Sequence, residues 1–142
     1  MKACLSFGEI LGVGRPQLDE MQRIGDAYAS PDFPGACEAF TRQVGIVEAI
    51  LVQNYGIAAA MARKADDLNE VAEIWCTMSQ FCQAALARLA TLKHKYPYCG
   101  TPALYDKALD YKLACDKRYR GAVEELECQK SDFPKGLLPE MK

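Results

Sequence analysis

Residues 68–92, LNEVAEIWCTMSQFCQAALARLATL, decide the fold. Leu68, Val71, Trp75, Met78, Cys82, Ala85, Leu89 and Leu92 follow one another at alternating steps of three and four. An α-helix turns once every 3.6 residues, so only a helix gathers these eight side chains on one seam, and a seam this long needs other helices to cover it. The expected fold is all-α: an antiparallel up-down helical bundle of three long helices plus a shorter N-terminal helix. It forms a single domain over 1–142, with an irregular N-terminal segment (1–15) and an irregular tail (131–142).

The flanks of the seam supply its punctuation. Asp67 and Glu70 are spaced as a capping box, the Asp oxygen accepting from the free N3 amide while the Glu reaches back. The helix is expected to end near Tyr96, before Pro97, with Lys93, His94 and Lys95 set against the negative end of its dipole. Thr101 and Pro102 then open the next helix as N-cap and first helical residue, with a seam of Leu104, Ala108, Tyr111, Cys115, Tyr119, Ala122 and Leu126. Upstream, a helix from about Gly35 to Ala65 carries Cys37, Phe40, Val44, Val47, Leu51, Tyr55, Ala58 and Ala62. The short first helix begins at Pro16, bears Leu18, Met21, Ile24 and Tyr28, and breaks at Ser30-Pro31-Asp32-Phe33-Pro34. Pro134, Gly136 and Pro139 mark the tail from Ser131 as non-helical.

A chain of 142 residues, 50% hydrophobic and 25% charged, has the composition of one globular domain with a core. Its net charge of -2 offers no bulk attraction to nucleic acid or anionic lipid, so neither is favoured as a partner. No uncharged run approaches the roughly 18 residues a membrane span requires, and Ser6, Gly8, Glu9 and Gly12 interrupt any signal-peptide core. A soluble protein with no membrane partner is expected. The seven cysteines are odd in number and contain no CxxC, so neither a disulfide framework nor a zinc site is expected. Cys82 and Cys115 lie in seams as small hydrophobes, and Cys99, in a turn, is the thiol expected to be exposed. The set reads as reduced and cytoplasmic.

Two features stand out as candidate sites. On α-helical geometry, Ile46, Ile50, Ile57 and Met61 form a second apolar stripe on the helix from Gly35, more than 90° around from its seam. Either this helix is central and the stripe is covered by the first helix or the N-terminal segment, or the stripe is left open as a homodimer or partner surface. Glu48 is the lone acid on the seam side of the same helix, beside Val44, Val52 and Tyr55. It is either paired with a Lys or Arg of the last helix, or with a tyrosine hydroxyl, or is a functional carboxylate of raised pKa. Glu48, Tyr55, Tyr111 and Tyr119 together outline the one small-molecule pocket that can be drawn between facing helices.

No cofactor or metal is expected. His94 is the only histidine, so the two Glu-x-x-His pairs of a di-iron bundle cannot be assembled. Gly8, Gly12 and Gly14 fit neither GxGxxG nor a P-loop, and no GxSxG elbow occurs. Arg88, His94 and Tyr96 have the spacing of a motif in the HEPN helical ribonucleases, which the chain resembles over these residues alone. That resemblance implies proton transfer by His94 and phosphate-charge stabilisation by Arg88. Where the family carries a polar residue after the Arg, this chain has Leu89, a seam position. The expected role is therefore a non-catalytic protein-protein interaction, adaptor or regulatory module, as a homodimer or with another protein. A bundle binding a small or apolar ligand near Glu48 is the alternative, and a HEPN-like ribonuclease the weaker one.

Overall fold

The computed structural model describes residues 6–137 and, of these, the side chains of 6–130. Four helices make up the described chain, α1 (Phe7–Ala27), α2 (Ala36–Lys64), α3 (Leu68–Lys95) and α4 (Thr101–Leu137), and no strand occurs among the described residues. The all-α class follows from the seams. On α3, Trp75, Met78, Cys82, Ala85, Leu89 and Leu92 are all buried. On α2, Phe40, Val44, Val47, Leu51 and Ala58 are buried, with Tyr55 and Ala62 half-buried against them. Each fully buried large side chain, such as Phe40 or Leu89, stabilises the fold by about 1.5–3 kcal/mol.

The first helix is longer than its sequence signals suggest. It starts at Phe7 rather than Pro16, because Ser6 and Glu9 close a reciprocal capping box: Glu9 N donates to Ser6 Oγ (3.2 Å) and Ser6 N to Glu9 Oε1 (2.8 Å). Its buried seam is Phe7, Leu11, Gly14, Leu18, Met21 and Gly25, again in steps of four and three. Residues 7–15 are thus helical, and Pro16 lies inside the helix, where it forgoes one backbone bond. The last helix also outruns expectation, continuing past Ser131 to Leu137 with Pro134 within it. At its start, Leu104 N donates to Gly100 O, and Gly100 has φ 84. The N-cap position therefore belongs to Gly100, and Thr101 sits one residue inside the helix. Of the box expected at α3, the Asp67 half forms, its carboxylate accepting from Glu70 N at 2.8 Å.

Within the described residues α3 touches all three other helices, α1 lies against α2 and α3, α2 meets α4 over a smaller area, and α1 and α4 do not meet. α2 and α3 are therefore both central, each touching all three other helices, with α3 making the broader contact with α4. Ile74, Phe81 and Leu86 widen the apolar surface of α3 beyond one seam, so it is buried on more than one side. Close approach of α1 depends on two glycines. A Cβ on Gly14 would stand 2.9 Å from Ile50 Cγ2, and one on Gly25 would stand 2.5 Å from Leu92 Cδ2. Gly25 also ends the helix productively: its carbonyl, left without an intrahelical donor, accepts from Tyr96 Oη (3.1 Å) and Lys95 Nζ (2.7 Å). Tyr96 is fully buried and stacks on Phe40 at 4.1 Å between ring centroids.

By length and composition α2 alone, among the described residues, is a helix able to cross a membrane, and only 28% of its most apolar window is buried. Composition of that kind also suits a helix whose outer face is covered by another protein.

Candidate functional site

The outer face of α2 carries the interface residues expected from sequence, but not in one state. Ile46 is exposed at 41%, whereas Ile50, Ile57 and Met61 are half-buried and packed against the core. Cover for Ile50 comes from α1, whose Gly14 lets the two helices close on it. A groove remains between α1 and α2, lined by Ile10, Val13, Ile46, Ile50 and Ile57. Val13 is 75% exposed on its α1 side, and Val52 adds a further exposed apolar side chain on α2. Val13 was hidden in sequence because the segment around it reads as glycine-interrupted loop.

Glu48 is half-exposed at the α2–α4 edge, outside the core position its neighbours in sequence suggested, and pairs with Lys107 Nζ of α4 at 2.9 Å. Both side chains are about two-fifths exposed, so the pair adds little to stability. Lys107 is held above its ordinary pKa by its hydrogen bond and charge interaction with Glu48. Tyr55 and Tyr111 do come together, stacked at 4.6 Å, and Tyr55 also tilts against Trp75 at 5.5 Å. Arg118 Nε donates to Tyr55 Oη (3.2 Å), its guanidinium lying 5.2 Å from the Trp75 ring centroid. Tyr119 points away from this group and is 38% exposed. The depression at Glu48 is an open one, lined by Gly45, Ala49, Val52 and Gln53, and none of the three tyrosines belongs to it.

Between α3 and α4, Ser79 Oγ donates to Asp116 Oδ1 (2.5 Å) and Lys112 Nζ to Asp116 Oδ2 (2.7 Å). Burial pushes the Asp116 carboxyl up, but the bonds from Lys112 and Ser79 outweigh it and leave the pKa below the usual value. This cluster is a structural clamp. Beside it, hydrogen bonding with the Cys115 thiol and burial raise the Cys82 thiol above its ordinary pKa, which disfavours its thiolate.

The cysteine expectations need correction. Cys37 and Cys99 form a disulfide with Cα atoms 5.8 Å apart, and Cys99 is buried, not exposed. The pairing spans 62 residues and joins the first turn of α2 to the turn before α4, a proximity set by the packing of distant helices. The reduced cytoplasmic reading therefore loses the support it drew from these two cysteines. Cys76 and Cys128 are the accessible free thiols among the described residues.

The residues of the HEPN-like motif are employed otherwise. Arg88 pairs with Asp19 of α1 (2.6 Å) and donates to Ala84 O, while the Tyr96 hydroxyl is buried on Gly25 O. His94 is exposed and lines a depression with Ser30, Asp32, Lys95 and Tyr98. No group of three or more His, Cys, Asp or Glu side chains gathers as a metal site among the described residues. No family model, curated protein or solved structure matches the chain, so what it does has to be argued from this geometry.

Proposed function

We propose that the chain is a non-catalytic up-down helical bundle that works as a protein-interaction module through the α1–α2 face, a second copy of the chain being the simplest partner. The observation that carries this is the apolar groove holding Val13 and Ile46, 75% and 41% exposed, on a helix whose apolar window is only 28% buried. Exposed apolar surface of this kind, bordered by Gln17 and Gln53, suits a protein partner. The up-down arrangement is supported by residue pairs. Across α3 and α4, Lys93 meets Tyr105 and Ser79 meets Asp116; across α1 and α2, Gly25 meets Phe40 and Gly14 meets Ile50. In each case one number rises as the other falls, which is antiparallel order.

Sedimentation of the wild type beside Val13→Glu and Ile46→Glu tests it. Both side chains are exposed in the single chain, so the substitutions spare the core. A wild-type dimer and two monomers with unchanged helicity are expected. A wild type that stays monomeric at high micromolar concentration overturns self-association, and equal dimerisation of all three places the contact elsewhere.

A further inference from the structure

We propose that the Cys37–Cys99 bond is a thiol-exchange site, opened by a low-molecular-weight thiol attacking at Cys37 while the bundle stays folded. The two sulfurs are unequally placed. Cys37, the second residue of α2, is half-buried, whereas Cys99 is 3% exposed in the turn before α4. Depressions approach the bond from two directions. One is lined by Cys37, Glu38, Thr41 and Arg42, the other by both cysteines with Asp32, His94 and Tyr98. An incoming sulfur can therefore reach Cys37.

Access selects Cys37 for the first attack, and its surroundings, by favouring its thiolate, make it a good leaving group from the mixed disulfide in the second. It lies in the first turn of α2, where free backbone N–H groups and the positive end of the helix dipole stabilise negative charge. Thr41 Oγ1 stands 3.7 Å from Cys37 Sγ, one turn along the helix; its hydroxyl donates to Cys99 O at 3.5 Å and can turn from there to donate to that sulfur. The charged and titratable side chains facing the bond are Glu38 and Arg42 of α2, Asp32 of the α1–α2 connection, His94 and Lys95 at the end of α3, and Tyr98 of the α3–α4 turn. Lys95 is already bonded to Gly25 O, which leaves Arg42 as the cation able to serve the sulfur.

The exchange balances with thiol alone. A thiolate attacks Cys37 Sγ, the S–S bond breaks, and its electron pair leaves on Cys99 Sγ, which takes up a proton. Cys37 is then in mixed disulfide with the small thiol. A second thiolate attacks the outer sulfur of that adduct, releasing Cys37 as thiolate and the small molecule as its own disulfide. Two electrons have passed from two thiols to the protein. Beneath the bond the Phe40–Tyr96 stack and the Tyr96–Gly25 hydrogen bond do not involve either sulfur, so the helices have other contacts to hold them.

The test treats the native full chain with reduced glutathione, quenches with iodoacetamide, and maps adducts by mass spectrometry while far-UV circular dichroism monitors the fold. The expected result is reduction without loss of helicity and a glutathione adduct on Cys37 with none on Cys99. In Cys99→Ser, oxidised glutathione should modify Cys37, and alkylation of that thiol should titrate below the roughly 8.5 of a free cysteine. Thr41→Val in that background should raise the midpoint, which a purely structural bond would not require. A wild-type bond that opens only after denaturant is added, or adducts divided evenly between Cys37 and Cys99, overturns the proposal whether or not either variant folds.

Discussion

Replacing Cys37 and Cys99 together by serine leaves the packed helices intact and frees the unfolded chain from a loop of 62 residues. Chain-entropy arguments put the lost stability for a loop of that size at about 4 kcal/mol. At about 2.1 cal/mol/K per residue, a chain of 142 residues unfolds with an entropy near 0.3 kcal/mol/K, so the melting temperature should fall by about 13 °C. Because the effect lies in the unfolded ensemble, the urea m-value should also rise as that ensemble expands. Thermal and urea unfolding of the oxidised wild type, the wild type in reductant and the double variant provide the comparison. The last two should agree with each other and differ from the first. A double variant melting within a few degrees of the oxidised protein, or one with an unchanged m-value, would refute the entropic reasoning.

Gly25→Ala drives a methyl group into Leu92 and should destabilise by about 1–3 kcal/mol, offset in part by about 0.5–1 kcal/mol of helix propensity. Combined with Leu92→Ala the losses should be less than additive in denaturant unfolding, and strict additivity would show that the two do not share space. Asp116→Asn weakens the clamp on Ser79 and Lys112 and should lower stability at neutral pH by about 1–3 kcal/mol. Since the folded pKa of Asp116 is depressed, its contribution is complete above the unfolded value of about 3.9 and is lost as pH falls toward the folded one. Wild type and variant should therefore converge below about pH 4, and a constant gap in acid would count against it. Thr101 Oγ1 is buried without a hydrogen-bond partner, so Thr101→Val should stabilise by up to about 1–3 kcal/mol in thermal melts; a clear loss would reveal a bond to the hydroxyl.

The seams of α2 and α3 were legible because large apolar side chains hold the 3.6-residue period without interruption. That of α1 was not, because two of its six buried positions are Gly14 and Gly25, which read as breaks while serving as points of close approach. The Ser6 to Glu9 spacing was the signal that could have found its start. The partner of Glu48 was foreseeable as a cation on the last helix, yet its exposure was not, since a position at the edge of a seam depends on how closely the neighbouring helix approaches. Tyr119 illustrates the same limit. It continues the period of Leu104, Ala108 and Cys115, yet is 38% exposed midway along α4, while Ala122 beyond it is buried. The Cys37–Cys99 pairing lies beyond any local pattern, because two turns 62 residues apart become neighbours only once the helices between them have packed.

Among the described residues α1 and α4 do not meet, which leaves two flanks sharing a spine of α2 and α3. Perturbations on opposite flanks make no direct contact with one another, so their energetic effects should sum unless the shared spine relays them. A partner seated beside Val13 would then leave the surroundings of Lys112 and Asp116 undisturbed, and the chain could alter one flank over evolution without retuning the other.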